Sequence, residues 1–419
     1  MKSKLSLALM FLVLFLSFIY VRPYDFIPVL EPLKLTRVFI ILALIFSLFE
    51  RLRARFIWKE KSFLYFFLLQ ILCFGLLPFS LWKGMSLEYW LDSYLKIFVA
   101  FYLIILVANN IKRIDLLINV IGISCGIVAV RLIMAYRAGS VTVLDGFQRV
   151  VGVATMTSDD PNDVALVMGM ALPIVICLIL NHRKALNKLF YVVLAALIVI
   201  SIIYTGSRGG YMGTLVGIFV FVMMLYKKRK MKFLLVATSV SILLILFIPQ
   251  EHKTRFLSVF DTQDYSYVDE QYGRVAIWKR GMEALKARPW GVGIKNYALA
   301  EGEQKSEQGL TGRWMVAHNT YLEIGVELGV LGLWLYIMFL LSAFANIRKT
   351  FSIADRIKDR KVAVYSDALA GSLASFMVSS FFLSQAYNWN QYVLIAIIAA
   401  LKNIAAAEYQ EFQSNKNDK

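Results

Sequence analysis

His318 has the residue type and placement for proton chemistry at the edge of an apolar span, in the run Ala317-His318-Asn319-Thr320-Tyr321. Only three histidines occur in the chain. His182 lies in a basic stretch and His252 follows an apolar run, places that suit solvated or interfacial side chains. His318 instead closes a long polar segment and opens a span. An imidazole pKa of about 6.5 suits proton transfer near neutrality, and a capping or hydrogen-bonding role would use the same position.

Anion chemistry has two sources. Thr205-Gly206-Ser207-Arg208-Gly209-Gly210 joins two apolar runs almost without a linker. Its glycines permit a tight turn, successive amides there can form an anion nest, and Arg208 sets a permanent cation at the span end. A plain hairpin with a snorkelling arginine would have the same composition. Further on, Gln271–Arg288 reads as a helix ended by Pro289, with Val275, Trp278, Met282 and Leu285 recurring as an apolar stripe and Lys279, Arg280 and Glu283 opposite. At roughly 100° per residue, Arg274 and Arg288 fall on the stripe. They either snorkel from an interfacial helix or close over a pocket for anionic groups.

Carboxylates are less specific. Glu323 and Glu327 lie one turn apart inside an apolar run, where ionisable groups are functional hypotheses by default, on a different side from His318. Ser158-Asp159-Asp160-Pro161-Asn162-Asp163 could bind a metal or touch a substrate. Asp160 as N-cap, Pro161 at the first helical position and Asp163 at the third explain it equally well.

The elements that must position these groups are membrane helices. The 419 residues are 59% hydrophobic and 17% charged, with a mean hydropathy of +0.64; a soluble domain has roughly 45–50% apolar and 25% charged residues. Apolar runs fall near 5–21, 36–49, 62–82, 91–108, 115–135, 164–180, 189–205, 211–226, 232–248, 319–345, 363–384 and 391–404. The fold class expected is therefore an all-α polytopic membrane protein of about 12 spans. The run 5–21 follows Met1–Lys4 and continues into Arg22-Pro23-Tyr24 with no small-x-small cleavage site, so it reads as an uncleaved first span.

The net charge of +17 sits in short basic runs between spans, the pattern of topology rather than of nucleic-acid binding. With the N-terminus inside, alternate loops collect Arg51, Arg53, Lys112, Arg113, Arg183, Lys184, Lys227, Lys228, Arg348 and Lys349. Both termini are then cytoplasmic, and the long segment 249–318 lies outside. Cys73, Cys125 and Cys177 all lie in apolar runs and suggest neither a disulfide framework nor a metal set.

In their order, these segments resemble the O-antigen ligases and O-antigen polymerases. The resemblance spans roughly residues 150–345: Asp160-Pro161-Asn162, the Thr205–Gly210 hairpin, Gly273-Arg274 with Trp278, Pro289-Trp290-Gly291-Val292-Gly293, His318-Asn319-Thr320-Tyr321-Leu322, and Glu327-Leu328-Gly329-Val330-Leu331-Gly332. It divides the chain into N-terminal spans (1–150), a catalytic region with the outer loop 249–318 (151–345), and C-terminal spans with a cytoplasmic tail (346–419).

What the resemblance implies is a metal-independent, cofactor-free, inverting glycosyltransferase on the outer face of a bacterial inner membrane. Its donor would be a glycan on undecaprenyl diphosphate, and its acceptor lipid A core or a growing glycan. Arg208, Arg274 and His318 match the family's functional positions. Ser207, Asn319, Tyr321 and Arg288 are secondary candidates for binding pyrophosphate or glycan, Arg288 matching no motif position. The ligase is favoured over the polymerase. A lipid-linked glycan flippase is the rival of another class, disfavoured because no internal repeat is found and the polar groups gather at span ends.

Overall fold

The computed structural model describes residues 6–49, 54–144, 147–151, 153, 160–226 and 272–417. His252, Ser158, Asp159 and the apolar run 232–248 lie outside the described residues. The described chain is a helix bundle with one two-stranded hairpin. In order come α1 (Leu7–Val21), α2 (Leu35–Phe49), α3 (Lys61–Leu76), α4 (Lys83–Val107) and α5 (Ile111–Arg137). Antiparallel strands β1 (Val141–Leu144) and β2 (Phe147–Val150) follow. The chain continues with α6 (Pro161–Asn181), α7 (Ala185–Thr205) and α8 (Arg208–Leu225). After the undescribed stretch come two short polar helices, α9 (Arg274–Ala287) and α10 (Tyr297–Glu307). The last three are α11 (Thr320–Ile357), α12 (Arg360–Ser380) and α13 (Trp389–Asn417).

Nine helices among the described residues are long and apolar enough to cross a membrane, and α1 and α2 are shorter apolar helices. The protein is an all-α polytopic membrane protein. Several helices run beyond their apolar sequence: α11 continues to Ile357 through Arg348 and Lys349, because helical hydrogen bonds do not stop where hydrophobicity does.

α6, α8 and α12 pack on one another through small residues. A Cβ added at Gly217 would lie 2.7 Å from Ser375 Cβ and 2.8 Å from Gly371 O, so the helix backbones approach as closely as small side chains allow. Leu186, Leu189, Val192 and Val193 on α7 are exposed, as expected of a face turned to lipid.

α11 is broken. Gly329 has φ 72° and ψ −175°, which removes the local helical bonds. The freed groups bond instead to Pro289–Gly293: Val292 N–H donates to Val326 O (3.0 Å), Gly293 N–H to Glu327 O (2.8 Å), and Val330 N–H to Pro289 O (2.9 Å). The crossing requires glycine on both sides. A Cβ at Gly291 would lie 2.6 Å from Glu327 O, and one at Gly329 would collide with Pro289 O. Two glycine-rich motifs 38 residues apart in sequence, counted from Gly291 to Gly329, are therefore one joint.

Candidate active site

The hairpin of Arg208 is built by its neighbours. α7 ends at Thr205, Gly206 turns with φ 59°, and Ser207 caps α8 by accepting from Gly210 N–H (3.2 Å). Ser207 N–H donates to Thr205 Oγ1 (3.3 Å), so two of the amides that an anion nest would use are engaged within the turn. Arg208, the first residue of α8, is buried.

Behind the turn lies a residue that the sequence did not single out. Arg149, on β2, is buried, and its guanidinium donates from Nε to Thr205 O and from an Nη to Asn162 Oδ1, both at 2.8 Å. It ties the hairpin to the start of α6. That start is capped as expected: Asp160 Oδ1 accepts from Asn162 N–H (2.7 Å), with Pro161 first in the helix.

Arg274 opens α9, its guanidinium carbon 5.9 Å from the ring centre of Phe382. The same side chain meets the hairpin, since a Cβ at Gly209 would lie 3.2 Å from Phe382 Cβ. Arg208's neighbour and Arg274 thus share one contact residue.

His318 is half-buried and has φ 45°, in the left-handed region that costs a non-glycine residue about 1–3 kcal/mol. Three contacts hold it. Its N–H donates to Ser384 Oγ (2.9 Å), Trp278 Nε1–H donates to the preceding Ala317 O (2.9 Å), and Asn319 caps α11 by accepting from Tyr321 and Leu322 N–H (both 3.0 Å). Burial pushes the His318 pKa below its ordinary value, the Arg274 cation pushes it further down, and Asp160 opposes both. At neutral pH the imidazole is free to accept a proton.

The remaining sequence candidates divide. Ser207 and Asn319 are helix caps beside Arg208 and His318, and Tyr321 O–H donates to Met377 O (3.1 Å). Arg288 is elsewhere: it ends α9, about 21 Å of helix from Arg274, and pairs with Glu303 at 2.7 Å on the surface.

The expected faces of α9 also change. Arg280, assigned to the polar side, is buried in an ion pair with Glu301 at 2.7 Å, whereas Val275 and Met282 of the expected stripe are exposed. The buried face is Ile277, Arg280, Gly281 and Ala284, because α10 packs there and brings Glu301 as a partner.

Glu323 and Glu327 are buried, and the hydrogen bonds they accept hold irregular backbone. Glu327 accepts from Lys295 N–H (2.8 Å) and Tyr297 N–H (3.0 Å), capping α10, and Glu323 accepts from Ala386 N–H (3.2 Å). Lys295, which faces them over the Tyr89 ring (4.7 Å), is a fixed cation. Burial lowers its pKa, but Tyr89, Glu323, Glu327 and Asp163 together raise it above the usual lysine value. Among the described residues, no three His, Cys, Asp or Glu side chains converge as a metal set.

The segment 381–391 was missed altogether, having been divided between two spans and a loop. Gln385, Asn388, Asn390 and Gln391 in it are buried, and Gln385 Nε2 donates to Asp163 Oδ1 at 2.5 Å. Four amide side chains within seven residues, between apolar runs, were the available signal.

A model of the O-antigen ligase family matches residues 193–337, which contain the hairpin, Arg274, the glycine joint and His318. The exopolysaccharide production protein ExoQ of Rhizobium meliloti (strain 1021) is 37% identical over 90 residues, 20% of this chain and 21% of that protein. The chain thus matches about a fifth of the length of this curated relative. Residues 193–337 are the part of the chain that is similar to the O-antigen ligase family.

Proposed function

We propose that the protein is a glycosyltransferase that moves a glycan from undecaprenyl diphosphate to an acceptor hydroxyl on the outer face of the bacterial inner membrane, as a ligase whose acceptor is lipid A core. The observation that carries this is the meeting of Arg274 and His318 with the Arg208 hairpin around Phe382 and Ser384. All three residues lie in the stretch similar to the O-antigen ligase family.

In this scheme the acceptor hydroxyl attacks the anomeric carbon, and its proton passes to the neutral His318. The bond between that carbon and the phosphate oxygen breaks, and the electron pair leaves with the lipid diphosphate. Arg208 and Arg274 offset the charge that develops there, with no metal step needed. Attack from the face opposite the leaving group inverts the anomeric centre. The site lies at helix ends, where a polyprenyl tail can stay in lipid while its diphosphate meets the arginines. In the same proposal this end of the bundle faces outward and both termini lie in the cytoplasm, which follows the basic loops.

A second reading is a polymerase that extends the lipid-linked glycan, favoured by the similarity to an exopolysaccharide production protein. Purified protein given lipid-linked donor and either lipid A core or a second lipid-linked glycan, without ATP, separates the two by product. His318→Ala should insert and melt normally yet lose about 10²–10⁴-fold in transfer. Near-native transfer per folded molecule by that variant would remove the general base from the scheme.

A further inference from the structure

The turn between α12 and α13 supplies no reacting group to the transfer scheme, yet its residues touch His318, Arg274 and the Arg208 hairpin. Phe381 stands edge-on to Trp278 at 5.6 Å, and Trp278 holds the carbonyl next to His318. Phe382 meets both the Gly209 backbone and the Arg274 guanidinium. Ser384 Oγ accepts the His318 N–H. The turn is itself anchored, because Gln385 N–H donates to Thr320 Oγ1 (3.0 Å) and Thr320 Oγ1–H to Leu383 O (2.7 Å).

We propose that Phe382 and Ser384 are positioning residues for the transfer reaction: Ser384 holds His318 in its left-handed conformation, and Phe382 sets Arg274 against the Arg208 hairpin. The inference rests on the transfer scheme above. A non-glycine residue stays at φ 45° only where its surroundings over-determine it. The Ser384 bond does this from a distant segment of the chain, and it also satisfies the His318 N–H. The aromatic face at 5.9 Å is within range to attract a guanidinium, and the ring's bulk fixes how near Arg274 comes to the hairpin. The two residues therefore act on different quantities. Ser384 governs the aim of the base, hence kcat; Phe382 governs the spacing of the cations that grip the donor, hence KM.

The test measures kcat, KM for the lipid-diphosphate glycan donor, and melting temperature on purified Ser384 and Phe382 variants. Ser384→Ala should lower kcat by about 10–10²-fold with little change in KM, as a small misplacement of a catalytic group does. Ser384→Thr, which keeps the hydroxyl, should restore most of it. Ser384→Cys, close in size but a weak acceptor, should behave like Ala and is the second variant if Ala does not insert. Phe382→Leu should raise KM by about tenfold with a smaller effect on kcat, and Phe382→Tyr should restore it. In a His318→Ala background, Ser384→Ala should add nothing, since it acts through the residue already removed. Native kcat in both Ser384→Ala and Ser384→Cys overturns the proposal, as does a full further loss in the His318→Ala background. A fall in melting temperature without the split between kcat and KM overturns it as well. Absence of transfer by the unmutated protein would instead sink the transfer scheme, and is read before any variant is made.

Discussion

At the end of the bundle away from the site, carboxylates face cations. Glu60, buried at the start of α3, pairs with Lys402 of α13 and accepts from Asn346 Nδ2 of α11 (2.7 Å), joining three helices. Asp115 of α5 pairs with Lys361 of α12 at 3.1 Å and accepts from Tyr365 O–H. At the site end, Glu323 and Glu327 accept from backbone N–H groups of irregular segments. Even Glu301, which pairs with Arg280, gives its second oxygen to the Met315 N–H (2.9 Å). Carboxylates at the first end tie helix to helix, and those at the site end also hold the backbone N–H groups of irregular segments. A change at the first end should therefore reach stability, and a change at the second should reach turnover.

The largest test of this contrast lies in the site's own cations. Arg208→Ala and Arg274→Ala should each lower transfer by about 10²–10³-fold, and Lys should restore only part, because it keeps the charge and loses the fork. Undiminished turnover in a folded Arg208→Ala protein would reduce the hairpin to a turn. Next comes the pair Lys402→Gln and Glu327→Gln. Lys402→Gln leaves Glu60 buried without its cation, so the loss of stability should approach about 3–5 kcal/mol with unchanged transfer per folded molecule. Glu327→Gln puts an amide donor against one of two backbone donors, for about 1–3 kcal/mol, and should lower transfer as well. Equal effects of the two on turnover would erase the contrast.

The smallest effect is on pH. Because the His318 pKa is lowered, the imidazole becomes protonated only below its ordinary value of about 6.5, and the acid limb of kcat/KM should lie below that pH. Arg274→Gln removes a cation and should move the limb up, and Asp160→Asn removes an anion and should move it down. The same sign acts on folding: as pH falls through this window the unfolded chain takes the proton first, so stability drops. A limb that does not respond to either variant would separate His318 from the titrating group.

Much of the architecture was legible because hydrocarbon imposes one-dimensional rules. Apolar length marked the helices, and the glycines of Thr205–Gly210 marked the turn between α7 and α8. His318 stood out because an ionisable group at a span end is rare enough to notice. What could not be read were relations between segments. Periodicity placed Arg280 outward, since nothing near it in sequence announces that α10 brings Glu301 to that face. Phe381–Ser384 looked like the end of an apolar run, and only the tertiary contacts of its rings and hydroxyl show a turn that touches His318 and Arg274. The glycine motifs were both visible, but their docking on one another was not, because backbone hydrogen bonds between distant segments leave no side-chain pattern.

That joint has a mechanical consequence. Gly329 is a pivot with His318 at the far end of an arm of about 15 Å, counting 1.5 Å per helical residue. A swing of only about 5° there would carry the histidine about 1.3 Å, a distance over which positioned catalysis falls by about 10²-fold. The bonds from Val292 and Gly293 brace the arm on one side of the pivot, and the bond from Val330 braces the stem on the other. Leu81 N–H, donating to Val292 O (3.0 Å), fastens the brace to the chain just beyond α3. Residues 289–293 thus act as a splint, and the rigidity of the reaction centre is set at a fracture point that touches neither base nor donor.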